Sequence, residues 1–209
     1  MRSLVRKIVV NAILMPSVLG CAIMAQALTI EPTQEDSALA QIITRELERR
    51  HLASDVLFAE RKPMVGQLIL KAIDPSRSLL TQQDIDRATI TALPEQIELG
   101  NLDAVYALYG LSLTRSEERL DFWLETLNQG VGSIDLTDQE ELRIRDDETP
   151  WVGDRTELQD LWRRQLENQA ISLLLADRSE EETYQALIRR YKSQKNRIEQ
   201  TRPDDIFAG

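Results

Sequence analysis

From residue 28 onward, apolar positions recur every three or four residues, the spacing that gathers one face of an α-helix. Leu39, Ile42, Ile43 and Leu47 form a first stripe. Met64, Val65, Leu68, Ile69, Ala72 and Ile73 form a second, with Pro63 placed in that helix's first turn, where its missing N–H is harmless. A third opens at Leu102, Val105, Tyr106 and Tyr109 and runs on through Leu113, Leu120, Trp123 and Leu127. Leu158, Leu161, Trp162, Leu166, Ala170 and Leu173 make a fourth; Tyr184, Leu187, Ile188, Tyr191 and Ile198 make a fifth. Residues 84–99 read as a further helix.

Punctuation agrees with this pattern. Thr81-Gln-Gln-Asp84, Asp154-Arg-Thr-Glu157 and Ser179-Glu-Glu-Glu182 each set a short oxygen-bearing side chain three residues before an acid, a helix-start arrangement. Asp74-Pro75 ends the second helix, Gly100-Asn101 precedes the third, and Gly130-Val-Gly132 ends it. Strand signals are confined to residues 132–136, which could pair briefly. The acidic stretch 135–148, with Arg143 and Arg145 inside it, reads as an exposed loop or short solvated helix. The expectation is an all-α, irregular multi-helix domain of five to seven helices over residues 28–209.

The first 27 residues have a different layout. Arg2, Arg6 and Lys7 precede an apolar run at 8–19, and Ala25-Gln-Ala27 supplies small residues where a signal peptidase reads. Residues 1–27 therefore read as a cleavable signal peptide, too short in its apolar run for a stable membrane span. Val18-Leu-Gly-Cys21 resembles a lipobox, which leaves lipidation at Cys21 as the minor alternative. Cleavage after Ala27 would remove three cations and no acid, moving the formal charge from −10 to −13.

Composition narrows the chemistry. Acids outnumber bases 35 to 25, a poor match to nucleic-acid phosphates. One Cys and one His exclude a disulfide framework and the common multi-thiolate or multi-His metal centres. His51 follows Glu48-Arg-Arg50 and reads as a helix-end side chain, not a catalytic base. Lys62, Lys71, Lys192 and Lys195 fall on helix surfaces, and none faces a Gly-framed serine turn. Residues 180–182 read as a helix N-terminus. Asp146-Asp-Glu148 lacks the spacing of a calcium loop, and Gly130-Val-Gly132 lacks the Lys and helix of a phosphate loop. Arg163-Arg164, Arg189-Arg190 and Lys192 beside Tyr191 read as ion-pair and helix-end charges. No catalytic, cofactor-binding or metal-ligating residue is assigned, and no cofactor is expected.

Several stretches together resemble the N-terminal helical region of the tail-specific proteases, the C-terminal processing serine peptidases of Gram-negative bacteria. They are Arg50-His51; residues 70–74 with Pro75-Ser-Arg and Asp84-Ile85; Gly100-Asn-Leu-Asp-Ala-Val-Tyr-Ala-Leu-Tyr109; Pro150-Trp151 with Glu157-Leu158 and Leu161-Trp162; and Arg189-Arg-Tyr-Lys192 through Arg197-Ile198 to Asp204-Asp-Ile-Phe207. Gly66 and Ile69 stand where relatives commonly carry aromatics, a departure expected to alter local packing only.

The resemblance implies a periplasmic, non-catalytic domain that helps enclose a peptidase core. Its partners would be PDZ and peptidase domains, in cis or in trans, and an adaptor protein. The Ser-Lys dyad of such enzymes lies in domains outside this sequence, so no catalytic residue carries over. Thr201-Arg-Pro-Asp204 reads as a helix start just before the last residue, Gly209, which points to a truncated or split form. The alternatives are a stand-alone periplasmic binding or scaffold protein that regulates a processing peptidase, and an unrelated exported helical enzyme.

Overall fold

A computed structural model describes residues 30–50, 54–136, 145, 146 and 148–200. Among these residues the fold is all-α: α1 (Gln34–Arg50), α2 (Ser54–Ile73), α3 (Gln82–Arg87), α4 (Leu93–Glu98), α5 (Asp103–Asn128), α6 (Arg155–Leu174) and α7 (Glu180–Glu199), with a 3-10 turn at Ile90–Ala92. The signal-peptide segment, His51, most of the 135–148 loop and residues 201–209 lie outside the described residues.

The long α5, about 39 Å from end to end, threads three apolar clusters. Its first turns hold Tyr106, which joins Leu102 and Ile30 in a small cluster against α1. Two residues on, Leu108 meets Leu70 of α2, Leu80 of the loop that follows it, Ile85 of α3 and Leu93 of α4. Its second half sets Leu120, Trp123 and Leu127 against Leu158, Leu161, Trp162, Leu166 and Ala170 of α6 and Tyr184, Leu187 and Tyr191 of α7. Those α5–α7 stripes are the ones the sequence pattern predicts. Within this last cluster Trp123 and Tyr191 pack with ring centroids 4.8 Å apart, at a tilted angle.

Helix starts follow the predicted signals. Thr81 and Asp84 exchange hydrogen bonds in a capping box, as do Ser179 and Glu182. Asp154 caps α6 through the N–H groups of Thr156 and Glu157, but Glu157 reaches past it to the Gly153 N–H. Gly130 and Gly132 take positive φ of 101° and 92° after α5.

Four expectations are corrected. The 84–99 segment is not one helix: Thr89 takes a left-handed φ of 49° and breaks it, leaving α3, the 3-10 turn and α4. Residues 132–136 do not pair; the described residues hold one isolated bridge, Thr81 with Val152. The second helix starts at Ser54, so Pro63 falls in its interior and not in its first turn. The α1 stripe does not face the core: Leu39, Ile42 and Ile43 are about half exposed, at 48%, 55% and 51%.

Two glycines allow close approach. A Cβ on Gly66 of α2 would lie 2.5 Å from Ile90 Cγ2 and 2.8 Å from its carbonyl oxygen, so the 3-10 turn rests directly on the helix. Gly100 has φ +76°, and its Cβ position lies 2.6 Å from Gln41 Nε2 and 3.0 Å from the Ser37 carbonyl oxygen, which seats α1 on the α4–α5 corner.

Candidate functional site

The best-organised polar cluster surrounds Asp74, just after α2. Its carboxylate is buried and accepts three backbone N–H groups: Ser78 at 2.9 Å, Leu79 at 2.8 Å and Leu80 at 3.0 Å. An Asp followed by Pro75 and Ser76 favours a side-chain-stabilised turn. This one winds the 74–81 loop into a fixed shape and spares two buried donors and a part-buried one from going unpaired. Distant elements then lock it. Trp162 of α6 donates its indole N–H to the Ser78 carbonyl at 2.7 Å, and Trp123 of α5 donates to the Trp162 carbonyl at 2.8 Å. Arg119 of α5 donates to the Ser78 hydroxyl at 3.2 Å and lies 5.0 Å over the Trp123 ring. Burial lowers the Arg119 guanidinium's pKa, and the nearby Asp74 carboxylate opposes that shift.

The same loop presents Arg77 in a left-handed conformation, φ 47°. Such a backbone costs about 1–3 kcal/mol and persists only where its surroundings hold it. Here Arg145 Nε donates to the Arg77 carbonyl at 3.2 Å, and Arg77 Nη1 donates to the Thr149 carbonyl at 2.7 Å. The Arg77 guanidinium lies 5.1 Å from the Trp151 ring centroid. Arg145, in the stretch expected to be a solvated loop, thus works as a brace, and burial lowers its pKa too.

Beside this brace runs a groove of about 340 Å³ between α2 and the 149–152 segment. Met64, Leu68 and Trp151 wall it, Leu70 lies at its base, and Lys71, Asp74 and Arg77 supply its charges. Met64 and Leu68 are 57% and 60% exposed.

A second exposed apolar feature is α1. That helix is held by Asp36, which accepts from the Tyr106 hydroxyl at 3.0 Å, by Ala40 in the small cluster, and by Gln41, which donates to the Leu99 carbonyl at 2.7 Å. Leu39, Ile42 and Ile43, at i, i+3 and i+4, point the other way. The helix is anchored by its polar side and offers its apolar side outward.

Sequence-singled residues fall mostly into structural roles. Arg163 and Arg164 pair with Asp160, and Arg163 also with Glu167. Lys195 pairs with Asp121. Asp146 accepts from Glu148 and Thr149 N–H groups. Tyr191 is buried beside Trp123, apart from the exposed Arg189, Arg190 and Lys192. The described residues hold no group of three or more His, Cys, Asp or Glu side chains placed to share a metal ion. None of their helices is long and apolar enough to cross a membrane. Asp74, Arg77 and Trp151 enter the sequence analysis only as a helix stop and as parts of the family resemblance, never as site candidates, and the α2 groove does not enter it.

A family model described as the tail specific protease N-terminal domain matches residues 43–208. A tail-specific protease from Haemophilus influenzae is 27% identical over 183 residues, covering 86% of this chain. The chain spans about a quarter, 26%, of that curated relative's length.

Proposed function

The chain belongs to the family of tail-specific protease N-terminal domains, and from that premise we propose that it is a non-catalytic helical domain of a periplasmic tail-specific serine protease. It docks on the PDZ and peptidase parts, on the same polypeptide or another, and helps enclose the space where substrate is cut.

The observation that carries this reading is the outward stripe of α1. A helix fastened through Asp36, Ala40 and Gln41 leaves Leu39, Ile42 and Ile43 uncovered. Covering each half-exposed side chain would contribute about 1 kcal/mol. A contiguous apolar stripe of this kind marks a contact surface. The apolar N-terminal segment supports export, with the mature chain starting at residue 28.

Cross-linking in the host cell, followed by purification of the tagged chain and mass spectrometry, tests both parts. The expected result is a chain starting at residue 28, in the periplasmic fraction, cross-linked to a polypeptide with PDZ and Ser-Lys peptidase domains. A folded chain retained in the cytoplasm, or one that cross-links to no such polypeptide, would overturn the reading.

A further inference from the structure

We propose that the groove between α2 and Trp151 is a docking site for a segment of another polypeptide that carries large apolar side chains next to a carboxylate. The proposal rests on the reading of this chain as a domain that works through protein contacts, and it assigns a second contact surface, distinct from the α1 stripe.

The apolar half of the recognition comes from Met64 and Leu68. Both are more than half exposed, one helical turn apart on α2, and face the half-buried Trp151 across the groove. Methionine and tryptophan adapt well to a partner's side chains. The volume, about 340 Å³, lies at the small end of ligand sites, about 300–1,000 Å³. It admits a few side chains of a peptide segment and not a whole folded element.

The polar half follows from which charges in the groove are already used. Among the described residues lining it, Asp74 is the one carboxylate, and both its oxygens are engaged by the N–H groups of Ser78, Leu79 and Leu80. Of the other charged residues described there, Lys71 is already engaged with a partner, which leaves the Arg77 guanidinium as the cation that faces the groove, in a chain of formal charge −10. Arg77 spends one N–H on the Thr149 carbonyl; a guanidinium has five. Its strained backbone, the Arg145 brace and the Trp151 ring hold it in place before any partner arrives. A fixed guanidinium with donors to spare suits a carboxylate, which it can take in a two-pronged contact, and pre-organisation reduces the ordering cost of binding.

The test is selection of a randomised dodecapeptide library, displayed on phage, against the full chain. The expected peptides carry leucine, methionine or aromatic residues within a few positions of Asp or Glu. A synthetic peptide of the recovered sequence should bind wild-type chain at least tenfold more tightly than the Leu68→Asp or Arg77→Gln variants. Changing its acid to the amide should weaken it similarly, whereas Ile42→Asp on α1 should leave binding unchanged. Leu68 is exposed, so its variant keeps the fold, which circular dichroism checks. No enrichment, enrichment of basic peptides, or binding indifferent to Leu68→Asp would overturn the proposal. So would self-association abolished by Leu68→Asp, which would place a second copy in the groove. Any of these results with cross-linking to the peptidase intact would remove the groove assignment alone; loss of that cross-linking strikes the functional reading itself.

Discussion

The indole N–H of Trp162 lies 2.7 Å from the carbonyl oxygen of Ser78, joining α6 to the loop that follows α2 across 84 residues of sequence. Both groups are buried, so neither can turn to water for a substitute. Replacing Trp162 with Phe keeps most of the apolar volume but leaves the Ser78 carbonyl short of a donor. The expected loss is about 2–3 kcal/mol, read from the urea midpoint followed by circular dichroism.

Asp74→Asn should cost as much or more. Two carboxylate oxygens serve three N–H groups, and an amide would turn an N–H donor toward one set of them. About 2–4 kcal/mol is expected, from lost charge-assisted bonds and from donors left facing a donor. Denaturant titration of Asp74→Asn beside Trp162→Phe, and of the double variant, checks this. The two losses should not add, because both act on the 74–81 loop.

The Tyr191 hydroxyl offers the opposite case. The side chain is fully buried and its oxygen has no hydrogen-bond partner among the described residues. Burial in this setting raises the phenol's pKa far above the ordinary value. Removing an unpaired buried hydroxyl deletes a desolvation penalty, about 1–3 kcal/mol in full. Tyr191→Phe should therefore leave stability unchanged or raise it by about 1 kcal/mol; a clear loss in the same titration would show a partner for that oxygen.

Stability should peak on the acid side of neutrality. Asp36 is held below its ordinary pKa by the Thr33 N–H and hydroxyl, and Asp160 by Arg163. These depressed groups contribute stability above their unfolded values, near 3.9, that is lost as pH falls through the folded ones. Glu117 is raised by burial, so its folded form takes a proton first and the native state gains as pH falls through that raised value. Urea midpoints from pH 3 to 8 should rise slightly below neutrality and fall below about pH 4. Glu117→Gln should flatten the rise.

These energetic details were less legible in the sequence than the helices were. The α6 and α7 stripes combine periodicity with N-terminal caps, and the α5 stripe is bounded by glycines at 100 and 130; these signals are local, so they coincide with the observed elements. At α1 the same periodicity identified the helix but not its orientation. A repeat of Leu39, Ile42 and Ile43 says that one face is apolar, and not that this chain covers it. The 84–99 segment broke because Thr89 adopts a left-handed conformation that no local residue demands. The Asp74 loop announced its turn through Asp-Pro-Ser, but its braces, Trp162, Arg119 and Arg145, arrive from 41 to 84 residues away in sequence. Nothing in the local pattern pairs them.

The proposed contact between α1 and a peptidase core can be measured as binding. The dissociation constant of the chain for the PDZ–peptidase part of the tail-specific protease from the same cell should be measured for wild type and Ile42→Asp. Ile42 is 55% exposed, so its change should shift folding stability by no more than about 0.5 kcal/mol. The predicted result is saturable binding that weakens at least tenfold in the variant while its urea midpoint holds. Binding of equal strength in both, or no binding by the folded wild-type chain, would contradict it.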